Sequence, residues 1–155
     1  MNDENTIELR IATASDMEHA GRRAASGVKG GQVVYLRGEL GAGKTTWVRG
    51  LVRGLNYSGP IKSPTYTLLE TYDLRGCNVY HFDLYRLSDP NELEDLAFRD
   101  YLDGSGICLV EWPERGLGRL PEPDCLIDIQ YNNGGRYLTM KCATKQGESL
   151  CAGMR

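Results

Sequence analysis

The chain has no apolar run approaching the roughly 18 residues of a membrane span, so a membrane-embedded role is not expected. Histidine is scarce, with His19 and His81 alone among 155 residues, too few for a histidine-based metal centre. The cysteines Cys77, Cys108, Cys125, Cys142 and Cys151 are odd in number and contain no C-x-x-C pair. Zinc binding is therefore disfavoured, and the expectation is reduced thiols filling apolar positions in a cytosolic protein. Positive charge is not in excess. The 18 Lys and Arg against 21 Asp and Glu give a net charge of −3, without the basic footprint of a chain that binds nucleic acid by itself. DNA is not an expected partner, and any role near RNA would run through another protein. The guanine-reading pattern N-K-x-D is missing too, which disfavours GTP. The opening Met1-Asn2-Asp3-Glu4-Asn5 is polar and acidic, unlike a secretory leader, so the expected location is cytoplasmic. No repeat, low-complexity tract or linker divides the sequence, so residues 1–155 read as one domain.

What is present is organised around Gly38-Glu39-Leu40-Gly41-Ala42-Gly43-Lys44-Thr45-Thr46. It fits G-x-x-x-x-G-K-[ST], the phosphate-binding loop. The run Gln32 to Arg37 before it reads as a buried strand. After it, Trp47, Val48, Leu51, Val52 and Leu55 fall on one helical face, closed by Gly54 and Asn56. Strand, glycine loop and helix together are the context the motif requires. Glycines let backbone N–H groups approach phosphate oxygens, and the helix N-terminus adds partial positive charge. Lys44 would reach the β- and γ-phosphates of a nucleotide, and the Thr45 hydroxyl would hold Mg²⁺.

Around that unit, Thr6 to Ala12 reads as a first strand and Ser15-Asp16-Met17-Glu18 as a capping box opening a helix. Asn56 to Pro64 is irregular. Tyr66 to Tyr72 and Asn78 to Phe82 read as a hairpin, and Asp89-Pro90-Asn91-Glu92 opens a helix with Leu93, Leu96 and Ala97 inward. Ile107 to Val110 is a short apolar strand. Leu126 to Tyr131 and Tyr137 to Cys142 form a second hairpin about Asn132-Asn133-Gly134-Gly135. Residues 143–155 read as a polar, frayed tail. The predicted class is α/β, a single P-loop NTPase-like domain whose mixed central sheet is flanked by helices and carries β-hairpins.

A phosphate loop binds but does not by itself hydrolyse; an acid must help hold Mg²⁺ and another group must position water. Glu111, ending the strand Ile107 to Val110, is the leading metal acid, against the alternative of a surface Glu at a strand end. Asp83, in Tyr80-His81-Phe82-Asp83-Leu84-Tyr85-Arg86-Leu87, is either catalytic or a turn-capping Asp. His81 points to the same face and reads as packing. Ser63, Thr65 and Thr67 could reach a γ-phosphate, as switch loops do, or simply form turns.

These blocks together resemble the TsaE family (formerly YjeE), small bacterial P-loop ATPases of tRNA threonylcarbamoyladenosine modification. The resemblance rests on the glycine loop, Ser63-Pro64-Thr65-Tyr66-Thr67, His81-Phe82-Asp83-Leu84-Tyr85-Arg86-Leu87 and Glu111-Trp112. It implies ATP and Mg²⁺ as ligands, and association with TsaB and TsaD, the latter performing threonylcarbamoyl transfer, with tRNA met only through that complex. It further implies that Gly38 to Thr46 cradle the phosphates, that Thr45 and Glu111 hold Mg²⁺ and that Thr65 senses the nucleotide. It implies as well that Asp83 acts with Lys44 in hydrolysis and that Trp112 lines the site. Ser15, Asp16 and Arg136 are implied near the nucleotide. Two alternatives share the loop. One is a small-molecule kinase with Glu114 to Arg119 as a thin lid candidate; the other is a non-catalytic module in which ATP only orders a partner surface. Arg86 is the nearest candidate for an arginine finger in cis.

Overall fold

The computed structural model describes residues 5–155; Met1 to Glu4, the acidic opening read above against a leader, lie outside the described residues. In chain order the elements are β1 (Thr6–Ile11), α1 (Ala14–Ala24), β2 (Val33–Arg37), α2 (Lys44–Gly54), β3 (Leu69–Tyr72), β4 (Asn78–Asp83), α3 (Glu92–Asp95), β5 (Gly106–Glu111), β6 (Cys125–Asn132), β7 (Gly135–Cys142) and α4 (Glu148–Met154). Short 3₁₀ turns join several of them.

The strands make one mixed sheet in the order β1-β7-β6-β2-β5-β4-β3. Its centre is parallel, with β2 between β5 and β6 and β4 beyond β5; β1, β7 and β3 add antiparallel edges. Alternation along each strand divides the core in two. Val34 and Leu36 of β2 face a cluster with Met17, Trp47, Leu51 and Leu150, contributed by α1, α2 and α4. Val33 and Tyr35 face Phe82, Leu84, Leu93 and Phe98 on the other side. A sheet buried on both faces explains why the central strands read as continuous apolar runs.

The helices α1 and α2 touch backbone to backbone. A Cβ at Gly50 would lie 1.9 Å from the Glu18 carbonyl oxygen, and one at Gly21 would lie 2.0 Å from that of Trp47. The β6–β7 hairpin closes through Asn133 and Gly134, at φ 47° and 85°, the pair of positive values that a type I′ turn requires.

Four expectations change. Helix α1 is capped by Thr13, whose hydroxyl accepts the Asp16 N–H at 3.1 Å, so the start lies before Ser15. Helix α3 has one turn, because Ala97 turns left-handed at φ 52° and the chain resumes as a 3₁₀ segment from Phe98. Residues 143–155 are not a frayed tail. A 3₁₀ turn leads into α4, which buries Leu150, Cys151 and Met154 against the sheet and α1. The cysteines are not all reduced, since Cys142 and Cys151 form a disulfide that ties α4 to β7. Cys125, the register partner of Cys142, brings its sulfur to 3.2 Å from it. Sequence spacing cannot reveal a cluster made by strand pairing. No helix among the described residues is long and apolar enough to cross a membrane.

Candidate nucleotide-binding site

The candidate site stands at the carboxyl ends of the parallel strands, the position where open α/β sheets bind ligands. The glycine loop leaves the end of β2 and runs into α2. Gly43 caps that helix at φ 115°, and a Cβ there would meet Met17 Cε at 2.9 Å. Glycine is thus favoured by conformation, while Met17 of α1 packs closely beneath the loop. Glu111 ends β5 and Asp83 ends β4, and the register pairs them with each other while Glu111 also pairs with Leu36 of β2. Three adjacent strands therefore deliver the loop and both acids to one edge.

Within the cleft, the Thr45 hydroxyl lies 3.0 Å and 3.3 Å from the two carboxylate oxygens of Glu111. Asp83 accepts the Tyr85 N–H at 3.0 Å through one oxygen, and the Thr65 hydroxyl donates to the other at 3.4 Å. Burial raises the Asp83 carboxyl above its ordinary value, and the Glu111 charge adds to this. The Tyr85 N–H, His81 and Lys44 pull the other way. The Lys44 ammonium donates to the Gly38 and Glu39 carbonyls and sits 4.1 Å from the centre of the Trp112 ring. Burial lowers its pKa, while Glu111 and Asp83 hold it up. Trp112 is left-handed at φ 58° and ψ 50°, strain of the kind concentrated at functional sites. Its ring packs on Tyr85 at 4.9 Å.

Leu40 to Thr46, Thr65, Asp83, Glu111 and Trp112 line this cleft of about 250 Å³. An adjoining cleft of about 230 Å³ is walled by Ile11 to Ala14, Met17, Gly41 to Gly43, Thr46 and Gly134 to Arg136. Arg136 donates to the Ala42 and Gly41 carbonyls at 3.1 Å and 3.3 Å, so it braces the loop from that side. The side chains of Ser15 and Asp16 do not line it. They sit within the first turn of α1, and the wall is instead made by Thr13 and Met17. The capping pattern Thr13-x-x-Asp16 was the available signal. Gly38 and Glu39 border a third groove of about 560 Å³, with Glu114 of the lid candidate and with Asp128, a residue the sequence did not single out.

Other expectations also shift. Thr67 turns away to Glu70 at 3.2 Å, and Ser63 contacts the Thr65 hydroxyl at 2.7 Å. His81 is not mere packing, because its Nε2 meets a Glu111 oxygen at 2.5 Å. Arg115 lies over the Tyr85 ring at 5.7 Å and Arg119 bonds Asn91, and neither lines the cleft. Arg86 lies over the Tyr66 ring at 4.3 Å.

The fit to a nucleotide with Mg²⁺ rests on donor chemistry. A hydroxyl and a carboxylate, both hard oxygen ligands, meet beside a lysine and a glycine-lined helix N-terminus, the set that suits Mg²⁺ with phosphate oxygens.

Comparison with known proteins assigns the family. The family model described as "Threonylcarbamoyl adenosine biosynthesis protein TsaE" matches residues 11–138. The chain is 50% identical over 118 residues to the tRNA threonylcarbamoyladenosine biosynthesis protein TsaE of Haemophilus influenzae, covering 76% of this chain and 75% of that one. To the Bacillus subtilis protein of that name it is 34% identical over 146 residues, 94% and 91% of the two chains. The crystal structure of Bacillus subtilis YdiB superposes with a TM-score of 0.81 at 28% identity, covering 96% of this chain and 93% of that one. The matched span runs from the end of β1 into β7 and so contains the glycine loop, both strand-end acids and Arg136: the chain belongs to the TsaE family.

Proposed function

We propose that this protein is a magnesium-dependent ATPase of the cytoplasm that works with TsaB- and TsaD-type proteins in threonylcarbamoyladenosine modification of tRNA. The observation that carries this reading is the meeting of Thr45 and Glu111 at 3.0 Å beside Lys44 and Asp83, at the edge of a glycine loop. Backbone N–H groups from Gly38 to Thr46 would bind the phosphates, with Lys44 moving from its own loop's carbonyls to the γ-phosphate. Thr45 and Glu111 would hold Mg²⁺, which when bound offsets negative charge on the phosphate oxygens. Asp83, made more basic by burial, would hold the attacking water and draw on its proton as the bond from the γ-phosphorus to ADP breaks. Thr65, hydrogen-bonded to Asp83, would respond to the γ-phosphate. The base would lie in the cleft between Thr13 and Arg136. Contact with tRNA would be indirect, in keeping with the net charge of −3.

Slow turnover alone follows from the arginines. Arg86, Arg115 and Arg119 are engaged with Tyr66, Tyr85 and Asn91, and a missing arginine finger leaves about 10³–10⁵ in rate to be supplied. The same engagement of Arg115 and Arg119 counts against the kinase alternative, which needs a cationic lid. The test is phosphate release from ATP with TsaB and TsaD added stepwise. The expected result is slow release alone that accelerates in the complex. Equal rates alone and in complex would overturn the coupling, and a phosphorylated small-molecule acceptor would favour the kinase.

A further inference from the structure

We propose that His81 is a positioning residue for the metal-binding carboxylate: its ring fixes Glu111 in the orientation that faces Thr45. The proposal rests on the nucleotide reading above and adds to it a residue that touches neither nucleotide nor metal. His81 is fully buried. Its register partner on β5 is Leu109, two residues before Glu111, so the two side chains are diagonal neighbours on one face of the parallel pair, within reach of each other. The ring nitrogen Nε2 stands 2.5 Å from Glu111 Oε2, and that same oxygen is 3.0 Å from the Thr45 hydroxyl. Glu111 is thereby held from two sides, by the ring from β4 and by the hydroxyl from α2.

The other ring nitrogen indicates why a histidine stands here. Nδ1 has no hydrogen-bond partner among the described residues. A buried nitrogen left unmet is costly, and a leucine would fill a similar volume without that cost. What the imidazole adds is one N–H, on Nε2, directed at the carboxylate. A proton on Nε2 satisfies Glu111. The donor acts by orientation. Outer-shell partners of this kind typically change metal affinity about 10–100-fold when removed.

The experiment compares wild type with His81→Leu, His81→Gln and His81→Asn. It measures ATP binding across a Mg²⁺ titration, ATP binding in EDTA, and thermal melting. Glutamine carries an amide N–H to the position of Nε2, whereas asparagine is too short to reach it. The expected result is a rise of about tenfold or more in the Mg²⁺ concentration for half-maximal effect in the Leu and Asn variants. The Gln variant should stay close to wild type, and binding in EDTA should be unchanged throughout. If the Leu variant does not fold, the Gln and Asn pair decides. An unaltered Mg²⁺ requirement in every variant, or equal effects of Gln and Asn, would overturn the proposal and leave His81 as packing. Wild type that binds no ATP with Mg²⁺ would instead sink the nucleotide reading itself.

Discussion

Asp83 is held at a strand end where burial opposes its charge, and that has a measurable cost. Its carboxyl pKa is raised above the ordinary 3.8, so the folded protein binds its proton more tightly than the unfolded chain does. Its contribution to stability is fully present below the unfolded value and is lost as pH rises through the folded one. Asp83→Asn keeps an acceptor for the Tyr85 N–H and offers an amide to Thr65. Near neutral pH it should therefore melt higher than wild type, with the difference vanishing below about pH 3.8. The same variant should lose about 10²-fold or more in partner-stimulated hydrolysis. Melting curves over pH, set beside phosphate-release rates, check both halves. Lys44 gives the complementary case. A charge-assisted hydrogen bond contributes about 1.5–3 kcal/mol, so Lys44→Ala should weaken ATP binding about 10–10²-fold. Calorimetric titration would detect it, and affinity equal to wild type would remove Lys44 from the site.

The contact of α1 with α2 is set by absent side chains. Gly50→Ala would gain about 1 kcal/mol of helix propensity. It would also place a methyl 1.9 Å from the Glu18 carbonyl, which backbone can relieve only by separating the helices. Overpacking of this kind costs about 1–3 kcal/mol, so the net expectation is destabilisation, read as a lower urea midpoint. A higher midpoint would mean that the helices part freely. At this scale most local patterns were legible, because a glycine loop, an apolar strand ending in an acid and an Asn-Gly turn each declare themselves within a few residues. Helix α3 was overestimated, since its apolar spacing continues through Leu96 and Ala97 while Ala97 itself turns left-handed. The cap of α1 was misplaced because Thr13 and Ser15 both precede an acid by three residues, and only the backbone at Thr13 is extended.

Across the whole molecule, what could not be read was whatever depended on strand register or distant docking. The pairing of β1 with β7, the bond from His81 to Glu111 and the meeting of Cys125 with Cys142 all arise from sheet order. Helix α4 was missed because its seven residues are too few to set up a convincing period. It nonetheless closes the core. Leu150 and Met154 are buried to within 1%, and losing their burial costs roughly 3–6 kcal/mol at about 1.5–3 kcal/mol for each. That is a large share of a domain's typical 5–15 kcal/mol. A chain ending at residue 147 should therefore lose its cooperative melt by circular dichroism; an unchanged melt would show α4 to be dispensable. One feature of the site bears on how such a protein is governed. Asp83 and Glu111 are rungs of one ladder and Lys44 and Thr45 open a packed helix, whereas Thr65 rides an irregular stretch and meets Asp83 at only 3.4 Å. On the reading proposed above, four of the groups stand on rigid elements and Thr65 alone does not, so a companion that leans on residues 63–67 would set the pace without ever reaching the fuel.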